Sequence, residues 1–183
     1  MIDAANAAVF VRARDVGLTG LELPDELEAR PDILALLDAI RVQASVRMGI
    51  AADEAEARRV TIVPFVAIVA PPSDSPTLTG EPVRADEVDL TVRVISNGQP
   101  HRALPLTISL CTAVAARMSG TVAAEMARET AGDQPIRLGM PSGVLTVGAD
   151  VGQEGGAWVA RAGSFYRTAR RLFDGRVWVP GVA

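Results

Sequence analysis

The chain has 183 residues and no lysine; all 18 of its basic residues are arginine. No side chain can therefore form a Schiff base or serve as an amine general base. A single cysteine rules out an internal disulfide, and a single histidine rules out a His-rich metal cluster. These scarcities predict a cytoplasmic protein without a metal site. The first residues, MIDAANAAVFVRARD, have acid early and no basic stretch before their short apolar run, so no signal peptide is expected. The longest apolar run lies around Val60 to Pro72. It is interrupted by Pro64 and falls far short of the ~20 residues that span a bilayer, so no membrane partner is expected. A net charge of -4 gives no electrostatic reason to expect nucleic acid either.

What is present is globular: 49% hydrophobic and 22% charged residues, in a chain long enough to bury a core without disulfides or metals. Ala7 to Arg12 reads as an opening strand. From Pro31 to Met48, residues Ile33, Leu36, Leu37, Ile40, Ala44 and Met48 repeat at helical spacing, with Pro31 suited to the first turn and Gly49 to the stop. Val60 to Val69 reads as a largely buried strand with Pro64 at an edge or bulge, and Pro71 to Pro82 as a loop. Val88 to Ile95 alternates apolar residues with Asp89, Thr91 and Arg93, the pattern of a strand with one wet face. Ile108 to Met118 is small and apolar all round, as in a helix enclosed by protein. Short strand-like pieces follow at Thr121 to Glu125, Ile136 to Leu138, Val144 to Val147, Trp158 to Ala162, Phe165 to Ala169 and Val177 to Val179. The sum is an α+β fold, with a curved mixed sheet or incomplete barrel around one apolar helix and a single domain over residues 1–183.

Several positions have two readings. Thr107, just ahead of the apolar helix, could cap it, or the helix start could hold an anion, with His101 and Arg102 adding charge-assisted bonds. Cys111 could be a buried small hydrophobe or a thiolate activated by the helix start. Gly139 to Gly143, GMPSG, makes a tight turn in which Ser142 could also face a ligand oxygen. Asn6 could orient a carboxylate or cap the first strand. Arg167, Arg170 and Arg171 read as a solvated face.

Taken together, DAANAAVFVRARDVGLTG, VPFVAIVAPP, EVDLTVRVISNGQPHRALPLTISLCTAVAAR, MPSGVLTVGADV and FYRTARRLFDGRVWVP resemble the C-terminal lobe of the PrpF family. Its fold is similar to that of diaminopimelate epimerase, and its members include 2-methylaconitate isomerases and 4-oxalomesaconate tautomerases. The resemblance implies a cofactor-free isomerase that shifts a double bond in an unsaturated di- or tricarboxylic acid by proton transfer, in a cleft between two barrel-and-helix lobes. The matching substrate-binding positions are Asn6, Thr107, Ser109, Ser142 and Gly143, with His101, Arg102 and Cys111 as weaker candidates. The family's main acid-base residues belong to an N-terminal lobe absent from this sequence, so the catalytic residues stay unknown. The expected partners are that lobe or a second copy of the chain. Ala7 stands where the family usually has proline, Ile108 where it has glycine and Met140 where it has histidine. The last two are expected to put apolar bulk on the ligand side. That leaves a non-catalytic, self-associating remnant as the alternative, with a hot-dog-like acyl-thioester binder as a further one.

Overall fold

The structure is a computed structural model that describes residues 1–130, 134–166, 170–176 and 178. Its centre is an eight-stranded mixed sheet. The strands are β1 (Ile2–Asp3), β2 (Ala7–Arg12), β3 (Phe65–Ala70), β4 (Leu90–Ser96), β5 (Gln99–Pro100), β6 (Ile136–Met140), β7 (Gly143–Glu154) and β8 (Ala157–Phe165). The path runs β1-β2-β3-β4-β6-β7-β8, with β5 folded back on β4. β2 and β3 pair in parallel, as do β4 and β6; the other pairs are antiparallel.

The helices are α1 (Pro24–Glu28), α2 (Pro31–Arg47), α3 (Glu54–Arg59), α4 (Leu106–Arg117) and α5 (Val122–Met126). α4 touches β1 and β2 at one end of the strand order and β7 and β8 at the other. A single helix reaches both ends only if the sheet curls around it, so the expected α+β half-barrel is the observed fold. Ile108, Cys111, Ala113, Val114 and Ala115 of α4 pack against Ala8, Phe10, Ala67, Val92, Val94 and Leu138 on the concave face. On the convex face, Val9, Val66, Ile68 and Ile95 meet Ile33, Leu37 and Ala44 of α2. β2, β3 and β4 are thus covered on both sides.

Several sequence readings shift. The strand expected from Val60 begins at Phe65, after Pro64, which cannot donate to a ladder. Thr121 to Glu125 is not a strand: the Thr121 hydroxyl accepts from the Ala124 amide at 3.0 Å and starts α5. Trp158 to Ala162 and the start of the next piece merge into β8; residues 167–169, 177 and 179 lie outside the described residues. In α2 the buried face is rotated: Leu36 is exposed, while Arg41, Val42 and Ser45 are buried. The Arg41 guanidinium reaches the carbonyls of Ala57 and Val60 at 2.9 and 2.8 Å, which ties α3 to α2.

The alternating strand has no wet face. Asp89, Thr91 and Arg93 are 2%, 1% and 1% exposed. Arg93 lies under the chain that approaches α1 and donates to the carbonyls of Glu22 at 2.7 Å and Leu21 at 3.1 Å. Burial pushes its guanidinium down to about 10, against the pull of Glu22 and Glu26, and it stays charged at neutral pH. Gly20 turns that approach with φ +84, and a Cβ there would meet the Ala70 Cβ at 2.6 Å. Asp89 is gripped by Arg137 through Nη2 at 2.7 Å, Nε at 3.1 Å and the backbone amide at 2.8 Å. Burial acts to raise this carboxyl, but the Arg137 bonds outweigh it and hold the group below its ordinary value.

Arg93→Ala leaves two partly buried carbonyls without their donor, at up to about 1–3 kcal/mol each, so urea denaturation should show a loss of up to about 2–6 kcal/mol. Arg93→Met, which keeps most of the volume, should lose less. An Arg93→Met variant as stable as the wild type would mean that the guanidinium bonds contribute nothing.

Candidate active site

α4 begins two residues earlier than the sequence suggests. Leu106 is its first residue and Pro105 stands at the N-cap, with no side chain closing the end. Thr107 is therefore inside the first turn, exposed, and is not the cap. The first intrahelical bond runs from the Ser109 amide to the Pro105 carbonyl at 3.1 Å. The amides before it point out of the helix end, where the macrodipole favours an anion.

The turn between β1 and β2 brings Asn6 to the same place. Its Oδ1 accepts from the Ala7 amide at 2.9 Å, which fixes the side-chain amide so that Nδ2 donates to Thr107 Oγ1 at 3.0 Å. The threonine oxygen accepts there, and its own proton is left to point at an incoming acceptor. Ala5 holds the turn with φ 64, a left-handed conformation that costs an alanine roughly 1–2 kcal/mol. The β6–β7 hairpin is tied to the same region: Met140 Sδ accepts from the Leu104 amide at 3.4 Å, just ahead of α4. Ser142 is exposed at the hairpin tip, and Gly143, at φ 118, pairs with Met140 to close the two-residue turn.

The PrpF protein family model matches residues 1–180. The chain belongs to the PrpF family. It is 38% identical over 182 residues to a 2-methyl-aconitate isomerase of Shewanella oneidensis, covering 98% of this chain and 45% of that protein. It is 36% identical over 181 residues to a 3-methylitaconate isomerase of Eubacterium barkeri, covering 98% of this chain and 47% of that one. The crystal structure of a methylitaconate-delta-isomerase superposes with a TM-score of 0.78 at 33% identity, covering 89% of this chain and 43% of that chain. The chain thus spans about half the length of the curated relatives it matches.

Within this PrpF half, the other candidates are spread through the structure. Ser109 is 0% exposed, and its hydroxyl donates to the Leu106 carbonyl at 2.7 Å, so it presents nothing to solvent. Arg102 is exposed and paired with Asp25 at 2.9 Å, a partner 77 residues away that no local pattern reveals. His101 is half-buried, its ring centroid 6.0 Å from that of Phe65 and its Nε2 buried without a partner. Burial holds its pKa below the ordinary value. Cys111 is 0% exposed among core side chains. Burial pushes its thiol up to about 11, and Sγ donates weakly to the Ile2 carbonyl at 3.7 Å. It is the small hydrophobe of the first reading, not an activated thiolate.

Ile108 and Met140 overturn an expectation as well. Both side chains point into the core, at 0% and 5% exposure, instead of adding apolar bulk on the ligand side. The argument they gave for a non-catalytic remnant falls away. Among the described residues, no cluster of histidine, cysteine and carboxylates is disposed to hold a metal, and no helix is long and apolar enough to cross a membrane.

Two measurements check these environments. Labelling of Cys111 by a disulfide reagent at pH 8 should proceed no faster than global unfolding; rapid labelling of the native chain would place the thiol at the surface. For His101 the unfolded chain takes up a proton first, as pH falls through about 6.5. Its contribution is therefore fully present above that pH and is lost as pH drops toward the lower folded value. The stability difference between wild type and His101→Gln should shrink over that window, and a difference independent of pH would contradict a buried neutral imidazole.

Proposed function

We propose that this chain is the carboxylate-holding lobe of an isomerase that relocates a double bond in an unsaturated di- or tricarboxylic acid by proton transfer, without a cofactor or metal ion. The observation that carries this reading is the Asn6–Thr107 hydrogen bond at the exposed, uncapped start of α4. A substrate carboxylate placed there would accept from the Thr107 hydroxyl and the first-turn amides; the hairpin that carries Ser142 and Gly143 is tied through Met140 to Leu104, just ahead of the helix. The names of the relatives support the substrate class: isomerases of 2-methyl-aconitate, 3-methylitaconate and oxalomesaconate. Cys111 is buried with a raised pKa, so the acid and base would come from a complementary lobe.

A second reading, a self-associating binding module, is favoured by one observation: Leu106 and Val144 are exposed beside Thr107 and Gly143. Sedimentation at rising concentration separates the two, because this reading requires a dimer whose contact involves Leu106.

Titrating the labelled chain with cis-aconitate, followed by NMR, tests the first reading. The amide signals of Thr107 and Ile108 should shift, and Thr107→Val should weaken binding about tenfold or more, as expected when a hydrogen bond to a charged group is lost. No response at the start of α4 at millimolar acid would sink the proposal. Double-bond migration by the chain alone would refute the need for a second lobe.

A further inference from the structure

β1 is two residues long and pairs with β2 through Ile2–Ala8 and Asp3–Ala7. The turn that follows carries Ala5 at φ 64, a left-handed conformation that an alanine leaves unless its surroundings hold it there. Asn6 closes that turn, so its bond to Thr107 is only as firm as the turn itself. So short a ladder is a weak anchor, and α4 must supply the rest.

Cys111 is placed to do so. It stands four residues after Thr107 on α4, so the two side chains lie on one face of the helix, a turn apart. Thr107 is at the exposed end of that face and Cys111 at the buried end. Ile2, Ala4 and Asn6 are half-buried while Asp3 and Ala5 are exposed, so alternate residues of the segment are turned inward, and Ile2 and Ala4 pack on the same core cluster as Cys111. The thiol donates to the Ile2 carbonyl at 3.7 Å. The Ala4 amide points at the same sulfur and also reaches the Asn6 carbonyl at 3.4 Å. Burial, which raises the thiol to about 11, outweighs the effect of that amide, so the sulfur keeps its proton and remains a donor at neutral pH. The segment is thus pinned at two points of one helical face, Asn6 on Thr107 and Ile2 with Ala4 on Cys111.

We propose that Cys111 is a positioning residue: its thiol clamps the β1–β2 turn onto α4 and thereby holds the Asn6 side-chain amide on the Thr107 hydroxyl. It touches no substrate and transfers no proton. The proposal rests on the reading of Asn6 and Thr107 as the pair that holds a substrate carboxylate, and it adds the part that keeps the pair aligned.

The test uses the full chain labelled for NMR, in two variants. Cys111→Ser keeps a donor and an acceptor at the same place, whereas Cys111→Val keeps apolar volume and removes both bonds. In the free chain the Asn6 Nδ2 proton signals report the bond to Thr107. They should stay at their wild-type positions in Cys111→Ser and move in Cys111→Val to those seen in Thr107→Val. Affinity for cis-aconitate should stay within about twofold of wild type in Cys111→Ser and fall about fivefold or more in Cys111→Val. In an Asn6→Ala chain, Cys111→Val should cost no further affinity, because the group that the clamp holds is already gone. Wild-type Asn6 signals in Cys111→Val would overturn the proposal. So would a Cys111→Ser chain that loses them as Cys111→Val does, or affinity losses from Cys111→Val and Asn6→Ala that add. Should Cys111→Val not fold, Cys111→Ala takes its place on the same measurements. Absence of any response of the wild type to cis-aconitate would sink the functional reading, and the Asn6 signals alone would then decide the clamp.

Discussion

Enclosure of α4 sets the terms for the rest of the lobe. Its residues from Ile108 to Ala115, Leu110 apart, are buried, so protein must lie on every side of the helix, and a flat sheet covers only one. The sheet therefore curls until β1 and β2 on one side and β7 and β8 on the other touch the same helix. Curling in turn fixes the site. It brings the β1–β2 turn, with Asn6, beside the first turn of α4, across 101 residues of sequence. The polar chemistry at the rim is a by-product of the apolar packing in the middle.

The convex side shows how the sheet is held in that shape. α2 covers β2, β3 and β4, yet the face it shares with the approach to α1 contains a buried guanidinium and a buried carboxylate. Neither is left unpaired: Arg93 is satisfied by backbone carbonyls, and Asp89 by Arg137 and its amide. Such groups contribute little if replaced cleanly by apolar volume, but breaking one side is costly, so they specify where the flanking segments must lie.

Much of this organisation can be read from the residues. Periodicity locates β2, α2, β4 and α4, and GMPSG marks the β6–β7 turn. It fails where polarity stands in for exposure. Asp89, Thr91 and Arg93 alternate as a solvated face should, but their partners come from Arg137, Pro71, and Leu21 with Glu22, remote positions that no local pattern encodes. It fails at Thr121, where one hydroxyl decides between strand and helix. In the site, the motif residues Asn6 and Thr107 meet. Ser109, two residues on and so about 200° around the helix from the exposed Thr107, is buried on the opposite face.

The pairing of Ala8 with Phe65 in the parallel β2–β3 ladder, and the Arg93–Leu21 bond across 72 residues, also bear on how the chain reaches this state. Neither contact can form until a long loop has closed, and the entropy of closure is lost before any bond rewards it. The half-barrel is thus a high-contact-order topology in which α2 and the β6–β7–β8 meander can form locally. The seam between them is then joined late and slowly, with β4 as the strand that both sides must find.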